Sequence, residues 1–158
     1  MRIISHRGNL CGPHSVDENN PECIESALNC GFDVEIDAWI IDNEIYLGHD
    51  SPQYLATRYF SDGIWNRYNL VSQNSYPCLW IHCKNFGAIE NTFNYFKGHR
   101  FTHKNDDFTL TSSGYIWTFP RNLQIGSKSI AVLPELVSGW DIKSAYAICT
   151  DYPKEFIK

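Results

Sequence analysis

The hydrophobic and polar positions fall into short blocks whose period changes along the chain. Arg2-Ile3-Ile4-Ser5-His6 alternates and predicts a strand. A loop with Gly8, Gly12 and Pro13 follows. Asn20 before Pro21 marks a helix start, because asparagine caps free amides and proline suits the first turn. Ile24, Ala27 and Leu28 recur at helical spacing, and Gly31 stands where a helix would end. The pattern predicts a short amphipathic helix over 21–30. Residues 32–40 are rich in β-branched side chains and alternate, so they predict a second strand. Asp42-Asn43-Glu44 reads as a turn and Ile45-Tyr46-Leu47 as a returning strand. Strand, helix, strand suggests a parallel unit.

The stretch 51–76 mixes polar residues with Tyr54, Tyr59, Phe60, Trp65, Tyr68 and Tyr76, and suits one helix of undefined bounds. Residues 78–84 predict the next strand. Phe86, Ile89, Phe93 and Phe96 form an apolar stripe, and Gly98 is a stop, so a helix is expected over 86–97. Short strands follow near 100–103, 114–119, 129–133 and 145–149. A parallel crossover usually takes ~12 residues or more, so most links between these late strands are too short for full helices.

Composition narrows the class. The chain has 158 residues and reads as one domain over 1–158. Charged residues are 20% and hydrophobic ones 43%, which argues against disorder and coiled coil. The net charge of −5 disfavours a broad nucleic-acid surface. No apolar run approaches the ~20 residues that span a bilayer, so no transmembrane segment is expected. His6 and Arg7 come too early for a signal peptide. The cysteines are Cys11, Cys23, Cys30, Cys78, Cys83 and Cys149, with no CxxC spacing that would suggest a zinc ribbon or a redox motif. Reduced thiols and a cytoplasmic location are the expectation.

The strand ends carry the candidate chemistry. His6 ends the first strand. Glu35 and Asp37 are two apart on the second, so both point to one face, while Val34 and Ile36 point to the other. His49 and Asp50 follow the returning strand. His82 and Lys84 share a face, with Ile81 and Cys83 opposite. A lone Glu-x-Asp is usually a solvated face, and a lone histidine is usually structural. Four segments with one repeated register favour a site. Buried carboxylates need a cation or each other, and two of them at this spacing suit Mg²⁺ or Ca²⁺. His82 and Cys83 face opposite ways on a strand, which discounts a zinc site built from both.

Ile4-Ser5-His6-Arg7-Gly8, Glu18-Asn19, Gly31-Phe32-Asp33-Val34-Glu35-Ile36-Asp37 and Gly48-His49-Asp50 together resemble the glycerophosphodiester phosphodiesterases. These belong to the phosphatidylinositol phospholipase C-like superfamily. Ile148-Cys149-Thr150-Asp151-Tyr152-Pro153 is similar to the family's closing motif. The resemblance implies an α/β fold, a TIM-type (β/α) barrel with its site at the C-terminal mouth of the strands. A complete barrel takes ~250 residues, so this one would be reduced, with several helices shortened or missing. Thin helical cover would leave either an aromatic shell or an apolar face buried in a homo-oligomer.

The resemblance further implies a metal-dependent phosphodiester hydrolase acting on a small-molecule or lipid-derived substrate. His6 and His49 would be the catalytic acid/base pair. Arg7 would contact the phosphate, with Lys84 adding charge. Glu35 and Asp37 would bind the divalent metal. The family carries a Glu where this chain has His82, so His82 stands at the third metal position. Histidine is a softer, uncharged ligand. Three readings stay open: a hydrolase with Mg²⁺ or Ca²⁺, a transition-metal-dependent hydrolase, and a catalytically degenerate phosphate-binding barrel. The attacker is either water or a substrate hydroxyl that yields a cyclic phosphate. Trp117 is a candidate substrate contact at the mouth, or equally a core residue. His103, Asp106, Asp107 and Glu135 also fall at or just past strands.

Overall fold

The computed structural model describes residues 1–14, 16–65, 78–121 and 123–157. Tyr68 and Tyr76 of the aromatic stretch lie outside the described residues. Strand β1 (Arg2–His6) leads through a loop to α1 (Pro21–Asn29) and then to β2 (Asp33–Ile41). The Asn20 side chain accepts the Glu22 amide at 3.0 Å, and Pro21 takes the first turn, where its missing N–H costs nothing. Ile24, Ala27 and Leu28 are buried against the sheet. Each fully buried Ile or Leu contributes ~1.5–3 kcal/mol.

After β3 (Glu44–Leu47) and β4 (Tyr54–Leu55) come α2 (Thr57–Ser61) and β5 (Leu79–Cys83). The stripe expected over 86–97 forms two short helices, α3 (Phe86–Glu90) and α4 (Thr92–Tyr95), with Asn91 leaving helical geometry between them. The break follows from what the stripe meets. A side chain on Gly87 would fall 2.6 Å from the Ile40 carbonyl, so α3 approaches β2 by its backbone. Phe86 and Phe93 consequently stay 75% and 77% exposed. Strands β6 (His99–Phe101), β7 (Phe108–Leu110), β8 (Ile116–Thr118), β9 (Ser129–Val132) and β10 (Ala147–Thr150) complete the sheet.

Among the described residues, seven strands run parallel in the order β6-β5-β2-β1-β10-β9-β8. β7 pairs antiparallel with β8, and β3 with the second half of β2. The fold is not the TIM-type barrel that the sequence suggests. It is a curled mixed sheet with four short α-helices among the described residues. Two observations decide this. No ladder joins β6 to β8 among the described residues, although Ser112 and Thr109 hydrogen-bond across to Arg100 and Thr102. The links that follow β6, β8 and β9 carry no α-helix among the described residues; the one after β9 holds only a 3-10 turn at Pro134–Leu136. Those links are too short or too irregular to lay a helix back over the sheet.

The curl creates two faces. Ile4, Trp80, Phe101, Trp117, Ile130, Val132, Ala147 and Cys149 fill the concave side. Val34, Ile36, Ala38, Leu79 and Ile81 pack outward against α1, β3 and α3. Trp117 is 2% exposed and stacks on Phe101 at 4.5 Å, so it belongs to the concave core. No helix among the described residues is long and apolar enough to cross a membrane. The six cysteines form no disulfide among the described residues, and Cys78, Cys83 and Cys149 are buried.

Candidate functional site

The parallel strands end together at one rim, and the polar side chains gather there. β1 delivers His6, which is 8% exposed. Arg7 then takes a left-handed conformation, φ 53°, and turns its side chain over the end of β2. β2 delivers Glu35 and Asp37, and β5 delivers His82, with Lys84 just past its end on the same face. The registers Asp37 with His82 and His6 with Glu35 set them side by side.

Asp37 is the hub. His82 Nδ1 lies 2.9 Å and Lys84 Nζ 3.4 Å from its Oδ1. Asn19 Nδ2 lies 3.0 Å and Arg7 Nε 3.3 Å from its Oδ2. Asn19 also accepts the Asp37 amide at 2.8 Å, so a loop residue locks the strand end. Arg7 Nη1 is held by Glu18 at 2.8 Å. The His82 ring stacks on both Phe101 and His103, and its Nε2 is 3.3 Å from the His103 carbonyl.

His6 has a separate partner. Its Nδ1 meets Asp151 Oδ1 at 2.8 Å, and that oxygen also accepts from Asn9 at 2.8 Å. With Nδ1 engaged, Nε2 is left for chemistry, 4.0 Å from Glu35 Oε2. His49 stands at the rim, half-buried, with Nδ1 on Asp50 at 2.7 Å. Gly48 sets its place. The Gly48 amide donates to the Asp37 carbonyl, its carbonyl accepts Trp39 Nε1, and a side chain there would collide with the Ser51 carbonyl.

The environments push like groups apart. Burial, and then the nearby Asp37, raise the carboxyl of Glu35 against the pull of His6 and Arg7. Burial opposes the charge of Asp37 too, but the His82 hydrogen bond and the charges of Lys84 and Arg7 hold it well below the usual range. Burial also opposes a charge on His6, yet the Asp151 hydrogen bond and Glu35 raise it above an ordinary histidine. His49 is lowered by burial and by Arg7 and Lys84, outweighing Asp37 and Asp50. Titratable groups shifted in opposite directions at one strand-end cluster make it the candidate site of this fold.

No protein-family model, curated protein or solved structure matches this chain.

Glu35, Asp37 and His82 each offer one ligand atom, all within 4.8 Å of one another. Two carboxylates and an imidazole are donor types that divalent cations take, and here both Asp37 oxygens and both His82 ring nitrogens also have protein partners. Glu35 is a buried carboxylate whose charge is disfavoured beside Asp37, and a cation between the two would reverse that. Arg7, Lys84 and His49 surround the same point, while Trp117 lies deeper in the core. Glu18, Asn19 and Asp151 appear in the sequence motifs without an evident role, and Asn9 carries no signal at all. Their contributions come from loops that only the fold brings to the strand ends. Asp106 and Asp107 turn instead to Arg121.

Proposed function

We propose that this chain is a divalent-metal-dependent phosphoric diester hydrolase, a divergent relative of the glycerophosphodiester phosphodiesterases. One observation supports it above the rest: Glu35, Asp37 and His82 lie within 4.8 Å of one another beside His6, Arg7 and Lys84 at one strand-end rim. A divalent ion held by Glu35 and Asp37, with His82 beside them, would supply charge to the non-bridging phosphate oxygens, and Mg²⁺ or Ca²⁺ suits the two carboxylates.

The chain's own residues do the rest. Arg7 and Lys84 present positive charge to the phosphate as negative charge grows on it. Asp151 fixes the His6 ring so that Nε2 faces the reacting group, as a base or an acid. His49, at the open rim, takes the complementary proton role on the other alcohol oxygen. A cytoplasmic setting and a small or lipid-derived substrate, without nucleic acid, belong to the same reading. Cysteines without disulfides and the net charge of −5 support it.

A second reading has its own support. Both oxygens of Asp37 already have cationic or amide partners, as in a rigid phosphate-binding site that has lost turnover. Substitution separates the two. His6→Ala and His49→Ala should each remove most hydrolysis of a glycerophosphodiester panel while the chain still folds. Equal turnover by both variants and the parent chain would sink the acid/base assignment.

A further inference from the structure

We propose that Glu135 is a positioning residue for His6, acting through Asp151. This rests on the catalytic reading of His6 but makes a separate structural claim.

The end of β9 has an unusual backbone. The β9–β10 pairing runs through Val132 and Cys149, and the Leu133 amide still reaches the Cys149 carbonyl at 2.7 Å. Leu133 then adopts φ 48°, ψ 53°, a conformation that a branched side chain rarely takes. Such strain persists only where the surroundings over-determine it, and it concentrates at functional sites. Here it folds the chain back at once into the turn Pro134–Leu136.

The result of that reversal is the placement of one carboxylate. Glu135 Oε1 accepts the Asp151 backbone amide at 2.8 Å and the Thr150 hydroxyl at 3.0 Å. The Thr150 oxygen in turn accepts the Tyr152 amide at 3.0 Å. Three consecutive residues at the end of β10, Thr150 to Tyr152, are thus tied to one point. The middle one is Asp151, whose Oδ1 holds His6 Nδ1 and Asn9. Without Glu135, the amide of Asp151 and the buried hydroxyl of Thr150 would both lose their acceptor. The carboxylate of Asp151 would then be free to swing, and the His6 ring with it. Glu135 is itself largely exposed, so it adds little to the core. Its two bonds are spent on orientation.

The test uses the full chain and a readout that needs no substrate. In the parent, the His6 Nδ1 proton bonded to Asp151 should give a resolved downfield resonance in proton NMR at low temperature. Glu135→Gln keeps an oxygen acceptor and should keep that resonance. Glu135→Ala should lose or broaden it. Glu135→Asp keeps the charge but is one methylene too short, and should lose it even if the alanine variant fails to fold. For hydrolysis, Glu135→Ala should lower kcat about 10- to 100-fold with KM unchanged, the usual cost of losing an orienting partner, and Glu135→Gln should stay near the parent. An unchanged His6 resonance in Glu135→Asp and Glu135→Ala would overturn the proposal. Its loss in Glu135→Gln as well would do the same. Absence of turnover in the parent would speak against the catalytic reading only, because the resonance reports His6 without it.

Discussion

The charge arrangement around Asp37 makes a sharp prediction about stability. Asp37→Asn keeps the shape but removes the negative charge that Arg7 Nε, at 3.3 Å, and Lys84 Nζ, at 3.4 Å, both face. At an effective dielectric of ~20, each contact carries about 5 kcal/mol of gross attraction. Desolvation of the buried groups offsets most of it. What survives is the cost of stranding partners, about 3–5 kcal/mol when one member of a buried pair is removed. In a chain of this size that lowers the unfolding midpoint by about 10 °C. Glu35→Gln should behave differently. The charge on Glu35 is already disfavoured by burial and by Asp37, and glutamine still offers an oxygen to the Arg7 amide. Its stability should fall within about 1 kcal/mol of the parent. The pH dependence has a definite sign. The folded carboxyl of Asp37 lies below its ordinary value of 3.8, so its contribution is full above that pH. It is lost as the pH falls through the folded value. Urea unfolding followed by tryptophan fluorescence, at pH 7 with a chelator present, measures both variants. Asp37→Asn within about 1 kcal/mol of the parent, or Glu35→Gln as costly as Asp37→Asn, would refute the reasoning.

Two further outcomes are expected. His99 is buried, stacked on Trp80 at 3.9 Å and bonded to Ser113, and burial, then Arg2 and Arg100, push it down to about 4. The neutral form is favoured on folding, so its contribution is full above pH 6.5 and is lost as the pH falls toward 4, about 3 kcal/mol in all. His99→Asn should flatten that part of the stability-against-pH curve, and an unchanged slope in denaturant titrations would contradict it. His82→Glu should tighten Mg²⁺ about tenfold in calorimetric titration if His82 takes the third ligand position, and an unaltered affinity would place it outside the metal shell.

Much of the site is legible from alternation alone. The i, i+2 spacing on β2 and β5 puts Glu35 with Asp37, and His82 with Lys84, on one face. The helix over 21–30 is likewise written in Asn20, Pro21 and the apolar spacing, and forms at Pro21–Asn29. What escapes the sequence is whatever depends on contacts far along the chain. Asn9 and Asp151 meet only because β1 and β10 are neighbours, and nothing local to either residue announces it. The stripe at 86–97 has helical spacing, yet close backbone packing at Gly87 leaves Phe86 and Phe93 outside and the helix breaks. The reduced TIM-type barrel does not form for a related reason. A strand pattern specifies which face is apolar, but not whether the last strands find a ladder to close on. Here β6 meets the β7 hairpin through a few hydrogen bonds instead.

The central claim is phosphodiester hydrolysis that depends on a divalent cation and on His6. The most direct measurement is alcohol release from a panel of glycerophosphodiesters by the metal-stripped chain, before and after adding Mg²⁺, Ca²⁺ or Mn²⁺, with His6→Ala run alongside. Turnover is expected to appear only with a divalent cation and to be absent from His6→Ala. No turnover with any of the three ions, or equal turnover in His6→Ala, would contradict it.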